Sequence, residues 1–161
     1  MGVEKYLRLG RVEDIPLLLK FARSFHMASP YKTMKFDAVK GEKFLRDILT
    51  GKQTDSIVIV ALHNDEPIGF IVGIANQPVF SSCRIATELG WWIEPHKRGT
   101  RASALIYAAY EDWARRVGCH YVHGAYLPGV SPELDEFYKK RGYIQVESSY
   151  IKTLKFSALE K

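Results

Sequence analysis

Apolar positions change their period several times along the chain, and each change marks an element. Residues 4–10 alternate as a short strand does, and Asp14 followed by Pro16 opens a helix with Ile15, Leu18, Leu19, Ala22 and Phe25 at helical spacing. The stretch from His26 to Lys35 is irregular. Asp37 then caps a second helix whose stripe is Phe44, Leu45, Ile48 and Leu49, stopped by Gly51. From Ser56 the pattern becomes a continuous β-branched run, Ile57 to Leu62, and His63–Pro67 turns the chain into a second strand over Ile68–Ala75. A third run, Ile85 to Ile93, stops at Pro95, so three strands form an antiparallel meander. Ala102–Val117 carries Ala102, Leu105, Ile106, Ala109, Trp113 and Val117 on one face, and Gly118 ends that helix. A strand over His120–Tyr126, a loop with Pro128, Gly129 and Pro132, a helix from Ser131 to Arg141 and two final strands, Tyr143–Glu147 and Tyr150–Phe156, complete the chain. The predicted order is β-αα-βββ-α-β-α-ββ, an α+β fold (mixed α/β) with a central, mostly antiparallel sheet of about seven strands and about four helices.

Composition narrows this picture without changing it. The 161 residues are 47% hydrophobic and 25% charged, with 7 Pro and 12 Gly, which excludes a disordered or collagen-like chain and suits a single domain over residues 1–161. The start, MGVEKYLRLGRVED, has charges where a leader needs an apolar run, and nothing approaches the ~20 apolar residues of a membrane span, so a cytoplasmic, membrane-free protein is expected. Cys83 and Cys119 are too few for a disulfide framework and are read as reduced. The net charge of +5 admits either polyanion binding or a local phosphate site. Its basic clusters fall at Lys97, Arg98 and Arg101, at Arg115 and Arg116, and at Lys139, Lys140 and Arg141.

The first cluster is the most informative. A strand that feeds a basic, glycine-containing turn at a helix start presents unpaired N–H groups, a positive helix end and cations to one place, a combination that suits a pyrophosphate. The turn Pro95-His96-Lys97-Arg98-Gly99-Thr100-Arg101-Ala102-Ser103 has neither GxxxxGK[ST] nor GxGxxG spacing. A solvated helix cap would carry the same composition.

Together with Glu88-Leu89-Gly90-Trp91-Trp92-Ile93-Glu94-Pro95 before this turn and Phe137-Tyr138-Lys139-Lys140-Arg141-Gly142-Tyr143 near the end, the chain resembles the GCN5-related N-acetyltransferases. In motif style it is closest to the ribosomal-protein acetyltransferase branch. Two positions depart from the family signature: His96 stands where Gln or Arg is usual, and Arg101 where a second Gly or Ala is usual. The resemblance implies a three-layer fold and acetyl-coenzyme A as acetyl donor. It assigns Trp92, Ile93, Arg98, Gly99, Thr100, Arg101, Ala102 and Ser103 to the donor, with Lys139, Lys140 and Arg141 as either a 3′-phosphate contact or a solvated helix end. It also implies that the strands at Leu89–Ile93 and His120–Tyr126 splay apart.

Amide formation from a protonated amine needs a base, and the departing thiolate benefits from an acid. The resemblance gives these roles to Glu88 and Tyr138. Glu94 is the competing base, on the same face as Glu88 if the strand is regular. The resemblance puts the acceptor side on the first two helices with their connecting loop, Phe25–Lys43, and on the hairpin of the last two strands with the Gln77–Cys83 loop, where Phe25, His26, Tyr31 and Phe80 could equally line an aromatic slot or pack in the core. His120 and His123 have no metal-ligand spacing around them, so no metal is expected. The acceptor is an unspecified amine, of a protein or a small molecule, and the chain is a monomer or homodimer. Two other readings stand beside this one. A catalytically silent acyl-coenzyme A module would lack the acid and base. A nucleic-acid-binding domain would need a continuous basic stripe with interleaved aromatics, which the sequence does not offer.

Overall fold

A computed structural model describes residues 5–127, 129 and 131–154. The elements are β1 (Leu7–Leu9), α1 (Ile15–Ala28), α2 (Ala38–Leu49), β2 (Ser56–His63), β3 (Glu66–Asn76), β4 (Ile85–Ile93), α3 (Arg101–Arg116), β5 (Tyr121–His123) and α4 (Glu133–Lys140), with short tight helical turns at Val12–Asp14, Pro30–Thr33 and Pro95–Lys97. The sheet order is β1-β2-β3-β4-β5; the first four strands are antiparallel and β5 joins β4 in parallel.

Local chemistry sets the boundaries. Asp37 accepts the Lys40 N–H at 3.0 Å and starts α2, and the Thr100 hydroxyl accepts the Ser103 N–H to start α3. Asn64 and Asp65 both adopt positive φ, 52° and 64°, the geometry of a two-residue hairpin, so the β2–β3 turn is tighter than the five residues expected from sequence.

The sheet is the middle of three layers. Along β2, Ile57, Ile59 and Ala61 face the cluster built with Ile106, Tyr107, Tyr110 and Trp113 of α3, while Val58, Val60 and Leu62 face Leu18 and Phe21 of α1 and Leu45 and Ile48 of α2. Helices cover both faces, so this strand reads as an unbroken apolar run instead of an alternation. An added Cβ at Gly73 would overlap the Tyr110 ring, so this glycine is what lets α3 seat directly on β3.

Two expectations are corrected. The predicted β5 shrinks to three residues, because its pairing with β4 ends at Thr87–His123. The final hairpin is absent among the described residues 143–154, which form no strand; Lys155 and Phe156 lie outside them. Ile144, Val146, Tyr150, Ile151 and Leu154 are all exposed there, so no layer covers the apolar side that suggested strands. Tyr143 instead turns back on α4. Its N–H bonds the Tyr138 carbonyl while the Gly142 N–H bonds that of Lys139, with Gly142 at φ +83°, the paired bonds of a Schellman helix ending.

Replacing Gly73 by alanine is expected to destabilise the protein by ~1–3 kcal/mol through overpacking against Tyr110. At Gly90 an added Cβ meets nothing within 4 Å, and the same change should stay within ~0.5 kcal/mol. Thermal denaturation of both variants checks the contrast.

Candidate active site

The site begins with one unpaired residue. Val72 pairs with Gly90 and Gly73 with Glu88, so Leu89 is an extra residue in β4 and forms a bulge. A bulge reverses strand parity. Glu88 therefore shares the α3 side of the sheet with Trp91, whereas in a regular strand it would face α1 and α2 with Trp92. The same shift removes the parity that would have placed Glu94 beside Glu88, and Glu94 does not line the cavity described next.

Beyond Thr87 and His123, β4 and β5 no longer pair, and a cavity of about 470 Å³ opens between them. Its walls are Glu88, Leu89, Trp91, Trp92 and Ile93 of β4; Arg98, Gly99, Ser103 and Ala104 at the start of α3; Ala125, Tyr126 and Leu127 after β5; Ser131, Glu133, Leu134 and Phe137 at α4; and Phe25 and Tyr31 from α1 and the turn after it. Gly99 has φ +81° and open space where a Cβ would project, so a side chain there would be strained and would point into free volume.

The structure divides the expected donor-site residues. Trp92, Ile93, Arg98, Gly99 and Ser103 line the cavity. The Arg98 guanidinium lies 5.1 Å from the Trp92 ring and its Nε donates to the Ile93 carbonyl at 3.2 Å. Thr100 turns its side chain to the helix cap, Ala102 is packed in the core, and Arg101 stacks 5.2 Å from the Tyr6 ring, so these three are not cavity walls. On the opposite side Phe25 and Tyr31 line the cavity. His26 is held by the Met34 carbonyl at 2.9 Å and packs on Phe36, and Phe80 is fully exposed on its loop.

Glu88 sits at the inner wall. Burial pushes its carboxyl up to about 7, against the opposing pull of a backbone hydrogen bond from Ala125 and of the Tyr138 hydroxyl at 3.4 Å. Tyr138 is buried behind Glu88 and also donates to the Ala125 carbonyl at 3.2 Å. Its phenol is raised by burial first and by the Glu88 charge second. Tyr107, Tyr126, Phe137 and Tyr143 pack around the Tyr138 ring with centroids 5.2–6.5 Å away. At Gly124 a Cβ would collide with the Tyr107 hydroxyl and with Tyr138, so only glycine lets both rings approach this backbone.

α4 is tied in place by charge. Glu111, buried on α3, accepts from Arg141 through both carboxylate oxygens at 3.1 and 2.5 Å and from the Tyr143 hydroxyl at 2.9 Å. Lys139 pairs with Asp135 and Lys140 with Glu136. Arg141 of the third basic cluster is thus committed to Glu111, while Lys139 and Lys140 stay exposed in pairs along the surface of α4. Sequence reasoning missed Leu134 and Phe137 as cavity walls, although their three-residue spacing on α4 already put them on one face. It also missed Glu111, which no local pattern distinguishes from a solvated helix carboxylate.

Among the described residues no group of three or more His, Cys, Asp or Glu side chains could hold a metal, and no helix is long and apolar enough to cross a membrane. A family model described as the acetyltransferase (GNAT) family matches residues 21–143. No curated protein sequence matches the chain. Three solved structures show the fold. A transcriptional regulator from Bacillus halodurans C-125 aligns with a TM-score of 0.74 at 15% identity, covering 92% of this chain and 98% of its own. Aminoglycoside N-acetyltransferase AAC(6')-Iy in complex with CoA gives 0.72 at 13% identity, over 93% and 94%. The ribosomal-protein-alanine N-acetyltransferase from Brucella melitensis biovar Abortus 2308 gives 0.69 at 14%, over 92% and 97%.

The raised Glu88 value has a consequence for stability. Below its ordinary value of 4.5 the carboxyl is protonated both folded and unfolded. Between there and about 7 the unfolded chain ionises while the folded one keeps its proton, so stability falls as pH rises and the loss is complete above about 7. Glu88→Gln should therefore gain melting temperature relative to the wild type on going from pH 5 to pH 8, as read by calorimetry.

Proposed function

The chain belongs to the GNAT acetyltransferase family, and from that premise we propose that it moves an acetyl group from acetyl-coenzyme A directly to a primary amine. The observation that carries this reading is the wedge itself: an unpaired edge of β4, a helix N-terminus and a carboxyl poised near neutrality open into one cavity.

The residues present fit the donor. Past Thr87 the backbone of β4 has lost its strand partner and offers N–H and C=O groups to an amide-bearing arm, with Trp91, Leu134 and Phe137 as apolar walls. At the other end, the first-turn N–H groups of α3, the side-chain-free Gly99 and the Arg98 guanidinium suit a diphosphate. The Arg101 side chain stays out of this cradle; its stacking on Tyr6 accounts for a large residue at a position where a small one is usual. Acetyl-coenzyme A supplies the activated acetyl thioester, and the residues around it handle protons and position.

Glu88 is the base. A carboxyl titrating near 7 is substantially ionised at neutral pH and is a better proton acceptor than an ordinary glutamate. It takes the amine proton directly or through water, the nitrogen forms its bond to the acetyl carbon, and the carbon–sulfur bond breaks. Tyr138, behind Glu88 and not itself a cavity wall, returns a proton to the departing sulfur through a bridging water. Its phenol is raised by burial and by the Glu88 charge, so it remains in the donor form throughout the working range. Once Glu88 is protonated, that charge disappears and Tyr138 becomes a stronger acid. The contact between the two thus makes deprotonation at one end favour protonation at the other.

Acetyl-coenzyme A should raise the melting temperature, and coenzyme A release with a panel of amines and peptides should show turnover. Binding without turnover on any amine would make the chain a silent acyl-coenzyme A module instead. The rate is expected to rise through about pH 7 in the wild type and to lose that limb in Glu88→Gln. Tyr138→Phe should lower kcat more than it changes KM for acetyl-coenzyme A. It should also move the remaining limb upward, because the hydrogen bond that holds the Glu88 value down is gone.

A further inference from the structure

The chain's charge is concentrated beside the acceptor end of the cavity. Between residues 20 and 40 stand Lys20, Arg23, Lys32, Lys35 and Lys40 against the single carboxylate of Asp37, a net of +4 out of the chain's +5. All five cations are exposed, and none forms an ion pair among the described residues. Asp37 itself is occupied in capping α2. Elsewhere several cations do have carboxylate partners: Arg115 meets Asp112 and Glu111, Lys139 and Lys140 pair along α4, and Arg141 meets Glu111.

Part of this cationic segment stands next to the cavity wall, although none of the five cations lines the cavity itself. Lys32 shares a short helical turn with Tyr31, a cavity wall, and Phe25 from α1 lines the same end. Among the wall residues the only carboxylates are Glu88, inside, and Glu133, on the opposite side at α4. The rim is also apolar: Met27, Tyr31 and Met34 are exposed among these cations. A surface that combines unpaired cations with exposed thioethers and a phenol outside the cavity extends further than a small amine does.

We propose that the acceptor is the amine of an acidic peptide segment, with an apolar residue at the amine and carboxylates on the residues that follow. This rests on the acetyltransferase reading and adds the substrate class to it. The amine and its apolar neighbour enter past Phe25 and Tyr31 toward Glu88, while the following carboxylates meet the rim cations. A polycationic amine meets like charge at the same rim and is rejected.

Three peptide amides test this, each with an N-terminal Phe followed by three Glu, three Gln or three Arg, so that every one carries a single primary amine. At low salt kcat/KM should fall about tenfold from the Glu to the Gln peptide and about tenfold again to the Arg peptide, and the gaps should close at high salt. The double variant Lys32→Glu with Lys35→Glu should erase or invert the order, while Lys52→Glu, a reversal at an exposed site outside this segment, should preserve it. An order that is flat or favours the Arg peptide, or one that survives the double reversal, overturns the proposal while leaving acetyl transfer intact. If acetyl-coenzyme A neither raises the melting temperature nor is consumed with any amine, the acetyltransferase reading falls and this inference with it.

Discussion

The bulge at Leu89 is the constraint on which the site depends. Side-chain direction in a strand has a period of two, so one unpaired residue moves every position before it to the opposite face. In β4 that puts Glu88 among the tyrosines of α3 and α4 instead of under α1 and α2. Burial there is what raises its carboxyl, and contact there is what couples it to Tyr138. Just beyond, the parallel pairing with β5 stops, and the cavity forms where the backbone of β4 has lost a partner. Carboxyl and opening are consequences of neighbouring irregularities in one strand.

α4 supplies the other half, and it is held by a helix ending and an ion pair as well as by the packing of Leu134, Phe137 and Tyr138 on the core. The Schellman bonds of Gly142 and Tyr143 return the chain onto Tyr138, and Glu111 gathers Arg141 and the Tyr143 hydroxyl at a buried point on α3. Breaking that pair would leave a buried carboxylate short of donors, at a cost of about 2 kcal/mol, and would release the helix that carries Tyr138. The segment Phe137–Tyr143, legible in sequence as a family ending, thus has a direct physical meaning. Tyr138 sits three residues before the cap, Gly142 takes the left-handed position, and Tyr143 packs back on Tyr138.

Charge follows the same division between held and free. Arg141 is neutralised within the fold by Glu111, and Arg115, Lys139 and Lys140 pair with carboxylates on their own helices. The cations between residues 20 and 40 form no ion pair among the described residues, although Arg23 lies over the Phe36 ring, and Lys32 adjoins the cavity wall at Tyr31. The cavity itself holds Arg98 beside Gly99 and the carboxyl of Glu88, and the proposed acidic acceptor draws on cations that adjoin its wall at Tyr31.

The sequence by itself determined the order of elements from β1 to α4, which follows from apolar periodicity and caps that act over a few residues, while the three layers and the family came with the resemblance that its short motifs carry. It also brought forward Glu88, Tyr138 and the Arg98–Gly99 turn. Tertiary structure decided what depends on pairing between distant segments. It shortened β5, withheld strands from residues 143–154, put Arg98 and Gly99 on the cavity wall while the side chains of Thr100, Arg101 and Ala102 are engaged elsewhere, and drew Arg141 onto the buried Glu111. Above all it placed the bulge. Residues Glu88-Leu89-Gly90 look like any three strand positions until β3 is laid beside them, since a register shift is a property of two strands together and leaves no mark in the pattern of either one.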